Sequence, residues 1–283
     1  MHYPLGMELK LKILILSYHY QPDLSAGSFR NTALVAELKQ QLPHNSKIEV
    51  ITTLPSRNGS FSVEAPSYEQ HDGITIHRIK VPSHMNGMLD QSRAFLVYSY
   101  HVMKLARSKQ FDLIYASSSR LMTAILAARI SRVKNAPLYI DFRDIFVDTI
   151  KDILPASMTF VLKPIFSMLE KWAVKRASKI NLVSYGFSDY FQQRYPSKPF
   201  SYFTNGIDEE FILHSPRLKL SRQTRKLQVI YAGNIGKGQG LHHIIPALAK
   251  VFEGHLEFKI IGDGGQKDLL EAALNANNVT NVE

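Results

Sequence analysis

Short runs of Val, Ile and Leu alternate along this chain with longer stretches whose apolar positions fall at helical spacing. Strands are predicted at Lys12 to Ser17, Lys47 to Thr53, Ile74 to Ile79, Leu113 to Ala116, Leu138 to Asp141 and Lys179 to Val183. Between them the spacing predicts helices over Ser28 to Gln40, Ser92 to Ser108, Arg120 to Ser131 and about Pro164 to Ala177. Near-continuous apolar strands with helices between them indicate a parallel sheet covered on both faces, a Rossmann-like α/β architecture.

The pattern breaks after Thr204-Asn205-Gly206-Ile207-Asp208, where a polar, basic segment runs from His214 to Lys226. A second series starts at Gln228, with a strand, a helix to about Phe252, the strand Leu256 to Ile261, a helix to about Asn275, and a third strand beginning near Val279. The expected organisation is a first Rossmann-like domain over 1–210, a linker over 211–227 and a second, partial domain over 228–283. A complete nucleotide-binding half needs several more strand-helix units than these 56 residues hold.

The second series opens on Val229 to Leu241, an apolar run that breaks into Gly233, Gly236, Gly238 and Gly240 before helical spacing resumes. Glycines allow close backbone approach, and the N-terminus of the following helix attracts anions, so the loop is a candidate diphosphate cradle. A plain strand-to-helix turn explains the same glycines equally well. A dinucleotide-dependent oxidoreductase is a poorer match, because Gly236-x-Gly238-x-Gly240 departs from G-x-G-x-x-G and comes late in the chain.

Composition narrows the picture. With 45% hydrophobic residues, 283 positions suffice for one large or two ordinary globular domains. No apolar run approaches the roughly 20 residues needed to span a bilayer. The chain has no cysteine, which excludes disulfides and thiolate metal sites and is compatible with a cytoplasmic location. Its eleven histidines show no metal-ligand spacing, and His242 and His243 are expected on opposite sides of a helix start, so no metal site is expected. The net charge of +10 lies wholly in residues 1–205, which hold 25 Lys and Arg against 15 Asp and Glu; residues 206–283 hold nine of each. That asymmetry suggests an anionic partner, either a phosphate-bearing substrate or an acidic membrane surface. Nucleic acid has only this charge in its favour and no recognised motif, so it is not expected as a partner.

Several elements, in this order, carry a resemblance: Tyr20-Gln21-Pro22 to Gly27, Asp141-Phe142-Arg143-Asp144, Leu169-Glu170 with Ser184 downstream, Asn205-Gly206-Ile207-Asp208, Tyr231 to Leu241, and Ile260-Ile261-Gly262-Asp263-Gly264. Together they resemble the GT-B fold retaining glycosyltransferases of family 4 (group 1), especially the bacterial branch that transfers amino sugars in O-antigen, lipopolysaccharide and capsule assembly. The resemblance implies two Rossmann-like domains, the second incomplete here and ending before the family's E-x7-E segment. It also implies a nucleotide-diphospho-sugar donor, UDP-linked in this branch, and a polyprenyl-diphosphate-linked or polysaccharide acceptor. Neither a cofactor nor a metal is implied; positive side chains and helix N-termini would stabilise the leaving diphosphate.

Carried onto this chain, the resemblance assigns donor binding to Gly27, Gly233, Asn234, Gly236, Lys237, Gln239, Gly240, Gly262, Asp263 and Gly264. It assigns catalysis to Asp144, near the reacting hydroxyl, and to Arg143, on a phosphate. The chain departs from the family pattern in several places. Asn234 and Gln239 stand where Arg and Lys are usual, leaving Lys237 as the candidate cation; Phe146 replaces Trp; and Ala26-Gly27 keeps only the second of two glycines. Plainer readings stay open: Ser25 or Ser28 as helix caps, and an Arg143 to Asp ion pair closing its loop. Pro164 to Lys179 is basic and amphipathic, and it or Ser92 to Lys109 would suit peripheral contact with the inner face of the plasma membrane, while an ordinary surface helix with its apolar stripe in the core explains the same pattern. The rival to transfer is a non-catalytic, truncated module that binds acceptor or membrane.

Overall fold

The computed structural model describes residues 10–55, 64–82, 88–153, 156–207, 212 and 226–283. Asp208 and most of the expected linker therefore lie outside the described residues. The chain divides into two compact units, Met1–Ile212 and Leu213–Glu283.

In the first unit the strands are β1 (Lys12–Ser17), β2 (Lys47–Thr53), β3 (Tyr68–His71), β4 (Ile74–Ile79), β5 (Leu113–Ser118), β6 (Leu138–Phe142), β7 (Lys179–Leu182) and β8 (Phe200–Ser201). They form one sheet in the order β3-β4-β2-β1-β5-β6-β7-β8, parallel throughout except for the antiparallel β3. The helices are α1 (Ala26–Gln41), α2 (Met88–Ala106), α3 (Leu121–Lys134), α4 (Phe146–Ile153), α5 (Ala156–Arg176) and α6 (Ser188–Arg194). One core joins α2, α3 and α5 to the sheet through Tyr98, Val102, Ala124, Ala127, Ala173 and Val174. On the opposite face Val35 of α1 packs with Ile13, Ile15, Val50 and Ile76. The order of strands reverses between β1 and β5, and in open parallel sheets the loops diverging from such a point form the ligand crevice.

The short β3, α6 and β8 were not expected, and three other elements differ from the sequence expectation. First, α1 begins at Ala26, because the Ser25 side chain caps it by accepting the Ser28 N–H at 3.2 Å. Gly27 is thus inside the first helical turn and not in the loop before it, while Ser28 is buried and is not the cap. Second, the long helix starts at Ala156 and passes through Pro164, which it was expected to start from. Proline removes one backbone bond, tolerable here because Pro164 is on the exposed side of the helix. Third, α4 was not predicted at all; eight residues are too few for periodicity to register.

The second unit has β9 (Leu227–Ala232) and β10 (Leu256–Ile261) paired in parallel, with α7 (Leu241–Val251) and α8 (Lys267–Ala276). Ile235, Leu241, Ile245, Ala249, Phe258 and Leu270 form its core. Val282 bridges Phe258 in parallel, with the Phe258 N–H donating to the Asn281 carbonyl at 2.8 Å, so the expected third strand is started on the far side of β10. The apolar run of β9 is less buried than its composition suggests: Leu227, Val229 and Ile230 are exposed.

Candidate functional site

Parallel register places a row of polar side chains across the first unit. Ser17 of β1 is level with Ser117 of β5, Ser117 with Asp141 of β6, Asp141 with Asn181 of β7, and Asn181 with Ser201 of β8. Each interrupts an apolar strand near its carboxyl end. Buried polar groups need partners, and these find them across the sheet and on α1.

Asp141 is the centre of the row. Its carboxylate accepts from Arg30 Nε at 2.8 Å, Arg30 Nη2 at 3.1 Å, Asn181 Nδ2 at 2.7 Å and the Tyr115 hydroxyl at 3.0 Å. Four donors on a fully buried carboxylate leave it no catalytic freedom; it is a structural anchor. Burial and the Asp141 charge both push the Tyr115 phenol well above its ordinary pKa. Arg30 also donates to the carbonyls of Phe203 and Thr204, at 2.8 and 2.7 Å, and Asn181 takes the Phe203 N–H at 2.7 Å. The row therefore holds the segment after β8 against the sheet. Asn31, from the next turn position of α1, donates to Ser17 Oγ at 2.8 Å and to the Gly27 carbonyl at 2.6 Å.

Sequence reasoning missed Arg30, Asn31, Tyr115 and Asn181. A signal was present in Asn181, an amide inside the apolar strand Lys179–Leu182, since such a residue is retained only where it is bonded. His19 and Asp23 were missed too; the two buried side chains pair at 3.0 Å in the loop after β1, beside Tyr18, over whose ring Arg120 lies at 4.4 Å.

Arg143 is handled differently from Asp141. Its Nε and Nη1 are buried without a hydrogen-bond partner among the described residues, and no ion pair joins it to Asp141 or Asp144. Burial lowers its pKa, which the nearby Asp141 opposes. The guanidinium lies against the first turn of α1: a Cβ on Gly27 would stand 2.9 Å from Nη1. The plainer alternative, an Arg143 to Asp ion pair closing the loop, is thus not formed among the described residues. Asp144 accepts the Ile145 N–H at 2.9 Å just before α4, and partial burial raises its carboxyl above the ordinary value. Arg143 and the α1 N-terminus make this spot positively polarised, with Asp141 as the nearby carboxylate.

Glu170 and Ser184, singled out in the sequence, lie elsewhere in this unit. The Glu170 carboxylate accepts from Tyr195 at 2.8 Å and Tyr190 at 3.2 Å, and burial raises its pKa. Ser184 accepts the Gly186 N–H at 3.1 Å as a local cap.

In the second unit the two glycine loops brace one another. The Gly233 N–H donates to the Ile261 carbonyl at 2.9 Å, the Ile235 N–H to the Asp263 carbonyl at 2.8 Å, and the Gln266 N–H to the Ile235 carbonyl at 3.0 Å. Backbones approach so closely that a Cβ on Gly262 would fall 1.8 Å from the Gly233 carbonyl oxygen, and one on Gly264 2.4 Å from that of Ile235. Asp263 turns back to accept the Gly264 N–H at 2.8 Å. Gln239 Oε1 takes the Gly236 N–H at 3.2 Å and faces Asn234 Nδ2 at 3.4 Å, so the two residues standing where cations were expected bond to the loop and to each other. Lys237 opens a 3-10 turn, and its side chain lies outside the described structure. Gly240, with φ of 60°, carries the left-handed corner from which α7 departs. The His242 and His243 rings are 3.9 Å apart, not on opposite sides as expected, since at a helix start consecutive aromatic rings are free to lean together. Among the described residues no group of three or more His, Asp or Glu side chains could hold a metal ion.

No family model and no curated protein matches this chain. Solved structures do. The catalytic domain of starch synthase IV from Arabidopsis thaliana, bound to ADP and acarbose, matches with a TM-score of 0.57 at 13% identity, over 95% of this chain and 71% of its own. HepE of Anabaena in complex with UDP-glucose matches at 0.55 and 17% identity, over 96% and 68%. The lipopolysaccharide outer core galactosyltransferase WaaB, in its apo form, matches at 0.57 and 11% identity, over 96% and 67%. Identities this low establish the fold: α/β of the GT-B kind, with Rossmann-like domains. A fold is not a function.

Proposed function

We propose that the chain is a glycosyltransferase using a nucleotide-diphospho-sugar, of the retaining family 4 type, serving a lipid-linked or surface-polysaccharide acceptor. The observation that carries this reading is Arg143, whose Nε and Nη1 are buried with no hydrogen-bond partner among the described residues and whose guanidinium lies on the first turn of α1 at the carboxyl edge of the sheet. Burying a charge is costly unless something compensates it, and the compensation this place suits is a phosphate oxygen, held by a charge-assisted bond. The ADP and UDP-glucose named with starch synthase IV and HepE are of that chemistry.

In this reading the braced loops of the second unit present Gly233, Gly236 and the α7 N-terminus to the leaving diphosphate, with Lys237 as its cation. Asp144, whose carboxyl burial raises above its ordinary value, is assigned a place near the acceptor hydroxyl. For retaining transfer the anomeric bond to the diphosphate breaks as the acceptor oxygen bonds the same face of that carbon: the cations take up the charge on the leaving group, a leaving-group oxygen receives the hydroxyl proton, and Asp144 orients the hydroxyl.

The test measures UDP affinity and sugar transfer in parallel. Arg143→Leu and Lys237→Ala should each weaken UDP binding roughly ten- to hundredfold, the scale of a hydrogen bond to a charged group. Asp144→Asn should depress transfer while leaving UDP affinity in place. Unchanged UDP affinity in both cation variants would remove the assignment. A second reading, a binding module that does not transfer, is favoured by the mutual bonding of Asn234 and Gln239, which spends both amides on the loop. UDP binding with no transfer to any lipid-linked acceptor would select it.

A further inference from the structure

Among the described residues the first sheet ends on protected edges. β3 is a four-residue strand carrying Glu69 and His71, and β8 has two residues. Short or charged edge strands resist pairing with other chains. The second sheet is protected on one side, where Val282 bridges Phe258 of β10. Its other edge is β9, six residues with no charge and no proline, and both stay absent as far as Gly236. Val229, Ile230 and Tyr231 at its centre are of strongly strand-forming types. Among the described residues β9 pairs with β10 alone, so the N–H and carbonyl groups on its other side have no strand to meet.

The helix beside this edge carries a matching face. Leu241, Ile245 and Ala249 of α7 are buried in the core of the unit. Ile244, Leu248 and Val251 recur at helical spacing about a quarter-turn away and are exposed, Val251 at 73%. α8 packs on α7 and crosses from β10 toward the strand begun at Val282. It therefore takes the flank of α7 on that side, and the exposed row is on the flank that overhangs β9. Leu227 and Val229, on the same face of the strand as the partly buried Tyr231, are exposed beneath it, Leu227 at 73%. A solvated helix flank and a protected strand edge would be polar at these positions.

We infer that this edge and flank form an interface between two copies of the chain, β9 pairing antiparallel with its own copy across a twofold axis normal to the sheet and the two α7 rows packing against each other. Two identical open edges satisfy one another in a closed pair, because an isologous contact leaves neither free for a third copy. Charge favours the same occupant. Residues 206–283 hold nine Lys and Arg against nine Asp and Glu, and no charged residue falls between Leu227 and Gly236, so two such faces meet without repulsion. The contact removes apolar side chains of both copies from water. The inference does not depend on nucleotide-sugar chemistry.

The test is sedimentation equilibrium of the 283-residue chain over a wide range of concentration, without any nucleotide. The expected particle has twice the mass of one chain. Ile244→Glu combined with Val251→Glu, and separately Ile230→Lys, should each raise the dissociation constant at least about tenfold, since they set charges in the apolar contact and on the pairing edge. Leu269→Glu on α8 and Phe160→Ser on α5 alter exposed apolar groups elsewhere and should leave the dimer intact. All five positions are exposed, and unaltered circular dichroism would show the fold intact. A monomer at every concentration would overturn the inference and leave the face to a different polypeptide. Dimers unaffected by both interface variants, or weakened equally by either control, would overturn it too. Open-ended polymers would also overturn it, by showing that no twofold closes the edge.

Discussion

The Arg143 guanidinium occupies the space that a side chain on Gly27 would need: a Cβ there would lie 2.9 Å from Nη1. Gly27 was expected as a donor-binding residue in the loop before the helix, yet it is helical, and its missing side chain lets a cation lie on the opening turn of α1. Gly27→Ala should push the guanidinium aside. Alanine is also the better helix former, by about 1 kcal/mol, so stability should change little. The expected result is a melting temperature within a few degrees of the parent with UDP affinity reduced about tenfold, the loss of roughly one charge-assisted bond. Equal affinity would detach Gly27 from the site.

Arg30 and Asp141 should behave as one unit. Arg30→Ala leaves a fully buried carboxylate without its main partner and should cost about 3–5 kcal/mol, a large share of a domain's stability. Replacing both residues, Arg30→Met with Asp141→Asn, should cost less than Arg30→Ala alone. Chemical denaturation of Arg30→Ala, of the single variants Arg30→Met and Asp141→Asn, and of the double variant measures this, and additive losses in the cycle would contradict the pairing.

Glu170 should tie stability to pH. Burial raises its carboxyl above the ordinary value, although Tyr195 and Tyr190 donate to it. The folded state therefore holds the proton more tightly than the unfolded state. The stabilisation is fully present below the ordinary Glu value of about 4.3 and is lost as pH rises through the raised native value. Glu170→Gln should remove this dependence, gaining on the parent as pH rises across that window. Parallel stability curves for the two proteins would show that the shift is not there.

Gly262→Ala should damage the second unit far more than Gly238→Ala. Its Cβ would fall 1.8 Å from the Gly233 carbonyl oxygen, a clash with backbone that no rotamer relieves. Loss of about 3 kcal/mol or more is expected, with the two braced loops parted. Gly238→Ala, where nothing stands within 4 Å of the new Cβ, is the matched control and should be nearly silent. Hydrogen exchange at Gly233, Ile235 and Gln266, the donors of the brace, would report the difference directly.

The sequence by itself determined the strand and helix succession, because apolar runs and helical spacing are local patterns; β1, β2, β4 and β10 have the bounds their residues predict. It also located the glycine loops and the Asp141-Phe142-Arg143-Asp144 turn, since glycines and charges at strand ends are visible without a fold. Roles within that turn were not legible. Asp141 and Arg143 are two residues apart, yet one is saturated by Arg30, 111 positions away, and the other has no hydrogen-bond partner at two of its nitrogens. Only the tertiary structure decided this. Parallel pairing sets the carboxyl ends of β1, β5, β6, β7 and β8 side by side, so the partners of a buried charge come from strands and helices that no local period connects. The same holds for Gly262, whose need for a missing Cβ arises from a loop about thirty residues earlier, and for the apolar face shared by β9 and α7, which exists only once α7 lies along the sheet.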